Sequence, residues 1–262
     1  KTMRKQLETH PRTLEGGFWH KKRYPYQMWL DGLYMGAPFY AQYALYLNET
    51  NSWHDIVNQF IFVHRHTYNP ATGLNYHGWD ERKYQKWADP QTGCSPHYWG
   101  RAEGWYAMAL VDVLDYIPQN HSGRAKILEI LNQVAAGIKK YQDQKTGLWY
   151  QVLDQGNREG NYLEATGSSM FTYTLLKATR KGYISKEYKA VALKAYSGIL
   201  ENLIKNNSDG TISLTKCCSV AGLGGNPYRD GSYEYYIKEP VRDNDPKGVG
   251  PFIMASLELN MK

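Results

Sequence analysis

Two kinds of helical segment alternate along the chain. Apolar residues recur with a period near 3.6 through most of the sequence, which predicts an all-α fold. Segments that are apolar or aromatic on nearly every side are typical of buried helices, and they cover residues 28–47, 102–116, 166–181 and 250–261. More amphipathic, charged segments alternate with them, and they cover residues 52–66, 123–142 and 186–206. Residues 1–9 indicate the end of a further charged helix.

The connections between these helices alternate as well. A buried helix leads to a charged one through a short link, whereas the links back are long and cover residues 67–100, 143–165 and 207–248. Two long links begin with related octapeptides, residues 69–76 and 143–150, and a weaker copy lies at 209–212. Such a repeat predicts a ring of helical hairpins with buried helices inside and charged helices outside. We expect one α/α-barrel domain over residues 1–262, with its first hairpins missing ahead of Lys1.

The aromatic content favours a carbohydrate ligand, and the net charge favours an anionic one. There are 23 Tyr and 8 Trp but 6 Phe, and the formal net charge is +6. Tyr and Trp offer an apolar face and a polar group to a sugar, although a helical core that uses Tyr would give the same count. The excess of positive charge favours an anionic substrate. The longest basic run is Lys21-Lys22-Arg23 without a nucleic-acid motif, so nucleic acid is not an expected partner.

Other classes of protein lack support in the sequence. No run of 18 apolar residues predicts a transmembrane helix, so we expect a soluble protein without a membrane partner, cytoplasmic or periplasmic, and monomeric or homodimeric. Cys94, Cys217 and Cys218 match no zinc or disulfide spacing. His64 and His66 lack a carboxylate-rich partner segment. We therefore predict no metal site and no cofactor.

Asp31 is the candidate catalytic acid. It lies in the apolar and aromatic segment Gln27-Met28-Trp29-Leu30-Asp31-Gly32-Leu33-Tyr34-Met35, at the predicted start of a buried helix. Burial disfavours the charged form and raises the pKa of a carboxyl group, so Asp31 is expected to keep its proton and act as a general acid. The alternative is a structural Asp that interacts with the helix dipole.

The other candidate residues lie near points where long loops enter buried helices, and they are His20, Gln27, Trp29, His77, Trp99, Arg101 and Trp105. His77 could contact a carboxylate or relay a proton, or be structural. The Trp side chains offer stacking faces. Arg101 carries a planar fork suited to a substrate carboxylate, with a salt bridge to Glu103 as the alternative. Glu164 and the segment 247–251 are weaker candidates, and a structural role is favoured for both.

Two of these segments carry a family resemblance. Residues 27–35 and Trp99-Gly100-Arg101-Ala102-Glu103-Gly104-Trp105 resemble glycoside hydrolase family 105, the unsaturated rhamnogalacturonyl hydrolases, within the wider group of unsaturated glucuronyl and galacturonyl hydrolases. The likeness runs from residues 10–13 to 248–250. It implies an (α/α)6 barrel. It also implies hydration of the C4=C5 double bond that pectin lyases leave in a terminal uronic acid of a rhamnogalacturonan oligosaccharide.

The resemblance also implies roles for single residues. Asp31 matches the position of the family's acid and base, and the positions that match the substrate pocket are His20, Trp29, His77, Trp99, Arg101 and Trp105. A second important Asp of the family has no counterpart after Lys1. Two alternatives therefore stay open. One is a non-catalytic glycan-binding remnant of the barrel, and the other is a two-carboxylate glycosidase that uses Glu103 or Glu164 as its second carboxylate.

Overall fold

Most of the chain is helical in the computed structural model, which describes residues 1–261. Its helices are α1 Thr2–Thr9, α2 Leu30–Tyr46, α3 Ser52–Thr67, α4 Gly100–Val113, α5 Arg124–Lys140, α6 Ala165–Arg180, α7 Tyr188–Asn202, α8 Tyr233–Lys238 and α9 Pro246–Asn260. Each helix predicted from the periodicity is present. The predicted helix at 186–206 was too long, since it ends at Asn202 and its last residues form a strand. The short α8 was not predicted.

The buried helices form an inner layer in which consecutive members pack side by side. Helix α2 packs on α4, α4 packs on α6, and α6 packs on α9. The charged helices α3, α5 and α7 each pack against the inner helix that precedes them. Every residue of α4 except Asp112 is buried, as its apolar sequence predicts. This inner and outer arrangement of antiparallel hairpins is that of an α/α barrel.

Polar side chains connect the inner helices near their C-terminal ends. Lys177 of α6 lies 2.6 Å from the Asp112 carboxylate of α4, and Tyr173 donates a hydrogen bond to the same carboxylate at 2.6 Å. Arg180 of α6 pairs with Glu258 of α9 at 2.7 Å. These buried and half-buried pairs fix the spacing of the inner helices at the end away from the long loops.

The long loops contain short antiparallel strand pairs. The pairs are β1 Gln27–Trp29 with β4 Gly78–Asp80, β2 Tyr68–Asn69 with β3 Leu74–Asn75, β5 Ile204–Asn206 with β6 Ile212–Leu214, and β7 Cys217–Cys218 with β8 Val241–Arg242. Pairing of β1 with β4 sets Trp29 opposite Gly78. It also lets the backbone N–H of Leu30 donate to the carbonyl of His77 at 3.1 Å. The start of α2 is thereby attached to the long loop of residues 67–100.

The repeated octapeptides form equivalent turns. The N–H of Gly73 donates to the carbonyl of Asn69, and the N–H of Gly147 donates to the carbonyl of Asp143, each at 2.8 Å. Both glycines have a left-handed backbone, with φ of 82° and 77°, which L side chains adopt only with strain. The repeat therefore encodes the turn that ends an outer helix and begins a long loop. No helix within residues 1–261 combines the length and apolar character required to cross a bilayer.

Candidate active site

Asp31 lies in the first turn of α2, directly after strand β1. Its side chain is 17% exposed, but Oδ2 itself is shielded from solvent. This oxygen lies 3.2 Å from Nε2 of His77, yet the two groups are not aligned for a hydrogen bond, and neither atom has a hydrogen-bond partner within residues 1–261. Buried polar atoms are nearly always paired, so an unpaired acid and an unpaired imidazole side by side mark a place for a water or ligand atom.

His77 is fixed on its other side. Its Nδ1 lies 2.8 Å from the hydroxyl of Tyr236, in the short helix α8. Burial raises the pKa of Tyr236 well above its usual value, so the phenol keeps its proton. When that hydroxyl donates to Nδ1, the proton of a neutral His77 lies on Nε2 and faces Asp31. The ring of Trp99 lies 4.8 Å from the imidazole and limits its rotation.

His20 belongs to an aromatic stack beside Asp31. Its ring stacks on Trp29 at 4.1 Å, and Tyr24 stacks on Trp29 at 4.7 Å. Burial lowers the pKa of His20 to about 3, so the imidazole is neutral in ordinary buffers, and its Nδ1 has no partner within residues 1–261. Gln27 is also buried and accepts a hydrogen bond from Nε1 of Trp29 at 3.0 Å. The stack therefore forms an apolar wall of the site, and Nδ1 of His20 is a buried ring nitrogen in it without a partner within residues 1–261.

The expected direction of the Asp31 pKa was wrong. Burial is the largest influence and acts to raise the pKa, but His77, His20 and Arg101 together outweigh it and lower the pKa below the usual value. His20 contributes little at neutral pH because it is uncharged there. The lowering that remains comes from His77 and from the permanent charge of Arg101. Asp31 is therefore a carboxylate at neutral pH.

Arg101 makes contacts that the sequence did not predict. It is buried, and its Nη1 donates to the carbonyl of Cys218 and its Nη2 to the carbonyl of Ser219, while the guanidinium lies over Trp99. Its alternative partner Glu103 forms no salt bridge with it within residues 1–261. Only Nε is left without a partner there. Most of the fork expected to bind a substrate carboxylate thus holds the β7 loop against the start of α4.

Trp99 and Trp105, the other two tryptophans expected to stack on a sugar, pack mainly against the protein itself. Trp99 is almost fully buried, and its Nε1 donates to the side chain of Gln151 at 3.1 Å. Trp105 stacks on Tyr34 at 4.6 Å, which joins α4 to α2. The structure therefore brings His20, Trp29, His77 and Trp99 into contact around Asp31. It places Trp105 six residues beyond Trp99 along α4.

Two further carboxyl groups lie at inner-helix starts. Glu164 caps α6, where Oε2 accepts from the N–H of Gly167 at 2.6 Å and Oε1 accepts from the N–H of Cys218 at 2.8 Å. Glu103 is fully buried, and burial raises its pKa to about 8, so it is mostly protonated at neutral pH. Its Oε2 accepts from the N–H of Asn75 at 3.1 Å. Backbone donors therefore bind both oxygens of Glu164 and one of Glu103.

Tyr236 and Tyr24 are site residues that the sequence did not reveal. Tyr236 belongs to a six-residue helix inside a long loop, which is too short to show a helical period. The usable signal was Ser232, whose side chain caps that helix by accepting from the N–H of Tyr235. Tyr24 lies in an irregular loop and contacts Trp29 only through tertiary folding.

Comparisons with known proteins identify the family of this chain. The family model described as Glycosyl Hydrolase Family 88 matches residues 1–262. Protein Atu3128 of Agrobacterium fabrum is 42% identical over 230 residues, which cover 86% of this chain and 97% of that protein. The unsaturated rhamnogalacturonyl hydrolase YesR of Bacillus subtilis is 26% identical over 211 residues, which cover 80% of this chain and 56% of that protein.

The same holds for solved structures. A family 105 glycoside hydrolase from C. acetobutylicum is 51% identical, with a TM-score of 0.96 over 98% of this chain and 71% of that chain. The unsaturated glucuronyl hydrolase of Bacillus sp. GL1 is 12% identical with a TM-score of 0.67, so that likeness concerns the fold alone. The predicted α/α-barrel class and the predicted relationship to family 105 are confirmed.

Proposed function

Because this chain belongs to Glycosyl Hydrolase Family 88, we propose that it removes a C4=C5-unsaturated uronic acid from the non-reducing end of pectin-derived, rhamnogalacturonan-type oligosaccharides. The name of the Bacillus subtilis relative states this substrate class for that protein. The net charge of +6 suits such an anionic sugar. The reaction is hydration of a vinyl ether and needs no cofactor.

The observation that carries the proposal is Oδ2 of Asp31 3.2 Å from Nε2 of His77, with neither atom in a hydrogen bond within residues 1–261. A protonated Asp31 gives its proton to C4 of the uronide, and positive charge develops at C5 and the ring oxygen. Water then adds to C5 and returns a proton to the Asp31 carboxylate. The hemiketal opens to a ketone at C5, C1 becomes an aldehyde, and the glycosidic bond breaks. One carboxyl group thus serves as acid and then as base.

The lowered pKa of Asp31 is compatible with this cycle because the substrate is itself an anion. A uronate carboxylate next to Asp31 disfavours a second negative charge and raises the pKa of Asp31 on binding. The proton needed at C4 is therefore taken up together with the substrate. His77, which lies 3.2 Å from Asp31, is placed to orient the acid and to hold the attacking water.

The alternative of a two-carboxylate glycosidase needs a second carboxylate with free oxygens across the sugar. Glu164 has both oxygens bound to backbone N–H groups, and Glu103 is fully buried with one oxygen bound to the N–H of Asn75. Neither carboxyl group is therefore exposed to a sugar as the second carboxylate. A non-catalytic binding module would gain nothing from shielding Oδ2 of Asp31 and Nε2 of His77 from solvent without a hydrogen bond within residues 1–261.

The test is a paired assay of the 262-residue chain. One disaccharide carries the unsaturated uronide, and its partner carries the saturated uronide with the same second sugar. We expect loss of the ultraviolet absorbance of the double bond with release of the second sugar, and no cleavage of the saturated partner. Equal cleavage of both would favour the two-carboxylate alternative, and binding without cleavage would favour the glycan-binding module. Either result overturns the proposal.

A further inference from the structure

A polar cleft of about 550 Å³ lies next to the aromatic stack, and its walls include Arg23, Tyr24, Gln27, Gln85 and Arg229. These residues come from the loop before β1, from the first residue of β1 and from two of the long loops. The cleft differs in character from the neighbouring cavity along α2, whose lining is mostly apolar. A polar cleft of this kind beside the reacting group is suited to a hydrated, charged part of a ligand.

Arg229 is held rigidly at the wall of this cleft. Its Nε donates to the carbonyl of Gly224 at 2.8 Å, and its Nη2 donates to the hydroxyl of Tyr24 at 2.6 Å and to the carbonyl of Leu223 at 3.2 Å. These acceptors are neutral oxygens, so the charge of the guanidinium is not compensated. Nη1 makes no hydrogen bond within residues 1–261 and stays available to a ligand.

Arg23 supplies a second positive charge at the same place. Its guanidinium lies 5.0 Å from the centre of the Tyr24 ring, and that of Arg229 lies 5.9 Å from the same ring. Neither arginine forms an ion pair with an acidic side chain in the part of the chain that the structure describes. Two guanidinium groups around one tyrosine repel each other, and a bound anion would relieve that repulsion. The planar forks suit a carboxylate or a sulfate ester.

The cleft is joined to the reacting group through Trp29. Tyr24 stacks on this ring, and Gln27 accepts the hydrogen bond of its Nε1. Gln27 precedes Asp31 by four residues, so their backbones are at most about 14 Å apart. Asp31 itself does not line the cleft. A double bond in contact with Asp31 therefore cannot lie between the two arginines.

We infer that the cleft binds the leaving-group sugar and that Arg23 and Arg229 select one that carries an anionic group, a carboxylate or a sulfate ester. The inference rests on the proposed function and narrows it: the second sugar would carry an anionic group, whereas the unsubstituted rhamnose that follows the uronide in a rhamnogalacturonan backbone is neutral. Arg23 is the specificity-determining residue best suited to a test, because it is exposed and makes no hydrogen bond within residues 1–261.

The test compares three disaccharides that share the unsaturated uronide. Their second sugars are neutral rhamnose, galacturonic acid and a sulfated rhamnose. In the wild-type chain we expect kcat/KM to be higher for at least one charged sugar than for rhamnose. In Arg23→Gln we expect that ratio to fall by about tenfold, the effect of one charge-assisted hydrogen bond. The charged sugar that loses more identifies the anion.

Arg82→Gln is the matched control. Arg82 is also exposed and its guanidinium lies 4.8 Å from the ring of Tyr26, but it does not line the cleft. It should leave the ratio unchanged. A wild-type ratio near one, or equal losses in Arg23→Gln for neutral and charged sugars, would overturn the inference.

Binding of the same disaccharides to Asp31→Asn and to Asp31→Asn with Arg23→Gln separates this inference from the proposed function. Binding of a charged sugar that weakens about tenfold in the double variant, with no turnover by the wild-type chain, would sink the proposed function and support the cleft. Turnover by the wild-type chain without a preference for charged sugars would support the proposed function and overturn the inference about the cleft.

Discussion

Asp31 and Glu164 are two carboxylates at the starts of inner helices, the first partly and the second fully buried, and they differ in what their oxygens contact. Both oxygens of Glu164 accept backbone hydrogen bonds, one from its own helix and one from β7. Oδ2 of Asp31 faces His77 and forms no hydrogen bond within residues 1–261. A place at a helix start is therefore common to both, and the oxygen that faces an imidazole without a hydrogen bond is what distinguishes Asp31 from Glu164.

The cause of the difference lies in the loops. The loop that contains β7 packs on the start of α6, where the N–H of Cys218 donates to Glu164. This carboxylate therefore links the loop to the helix. The β4 loop instead presents the imidazole of His77 to Asp31. An unpaired buried polar group costs about 1–3 kcal/mol, which the protein tolerates at one helix start and avoids at the other.

Replacing Asp31 with Asn has the largest expected effect on activity. The amide can neither protonate C4 nor accept a proton from water, so we expect kcat to fall by about 10³-fold or more. Thermal unfolding should change little, because Asp31 stabilises the fold through no direct hydrogen bond of Oδ2. Initial rates and a melting curve measure both. A variant that retains a tenth of the wild-type rate would contradict the assigned role.

His77→Gln should lower the rate by about 10- to 100-fold, because the amide holds water less well than the imidazole. It should also shift the pH profile. His77 lowers the pKa of Asp31, so its removal raises that pKa. Asp31 then keeps its proton to higher pH, and the alkaline limb of kcat/KM, on which the acid form is lost, moves upward. A pH profile identical to that of the wild type would show that the two groups are not coupled.

Glu164→Gln should lower stability and leave the catalytic rate nearly unchanged, the opposite of Asp31→Asn. The amide turns an N–H group toward one of two backbone donors, so we expect a loss of about 1–3 kcal/mol in the free energy of unfolding. We expect kcat to stay within a few-fold of the wild type in the folded protein. Denaturant unfolding and initial rates test this. A loss of activity in a variant of unchanged stability would revive the two-carboxylate alternative.

Glu103→Gln should have the smallest effect on activity and a specific effect on stability. Burial raises the pKa of Glu103 from 4.5 to about 8, so the folded state binds its proton more tightly than the unfolded state. Between these values stability falls as pH rises, by at most about 1.4 kcal/mol per pH unit. The variant should lose less stability than the wild type between pH 5 and pH 9. Parallel curves would contradict the raised pKa.

The sequence predicts the helices well and the site unevenly. Long periodic segments such as α4 and α6 are determined locally, so their positions follow from hydrophobic pattern alone. The grouping of Asp31 with His20 and His77 follows from two motifs at loop ends. The pKa direction of Asp31 and the partners of Arg101 do not, because they depend on how the β4 and β7 loops pack on the helix starts. Tyr236 depends on a loop of the same kind.

The most direct test of the role of Asp31 is to follow the fate of the substrate's C4 in deuterated water. At short reaction times we expect one deuterium on a single face of C4 in the product of the wild-type chain, and no such product from Asp31→Asn. Release of the second sugar without deuterium at C4 would mean cleavage at the anomeric carbon. That result would contradict proton donation by Asp31 to the double bond.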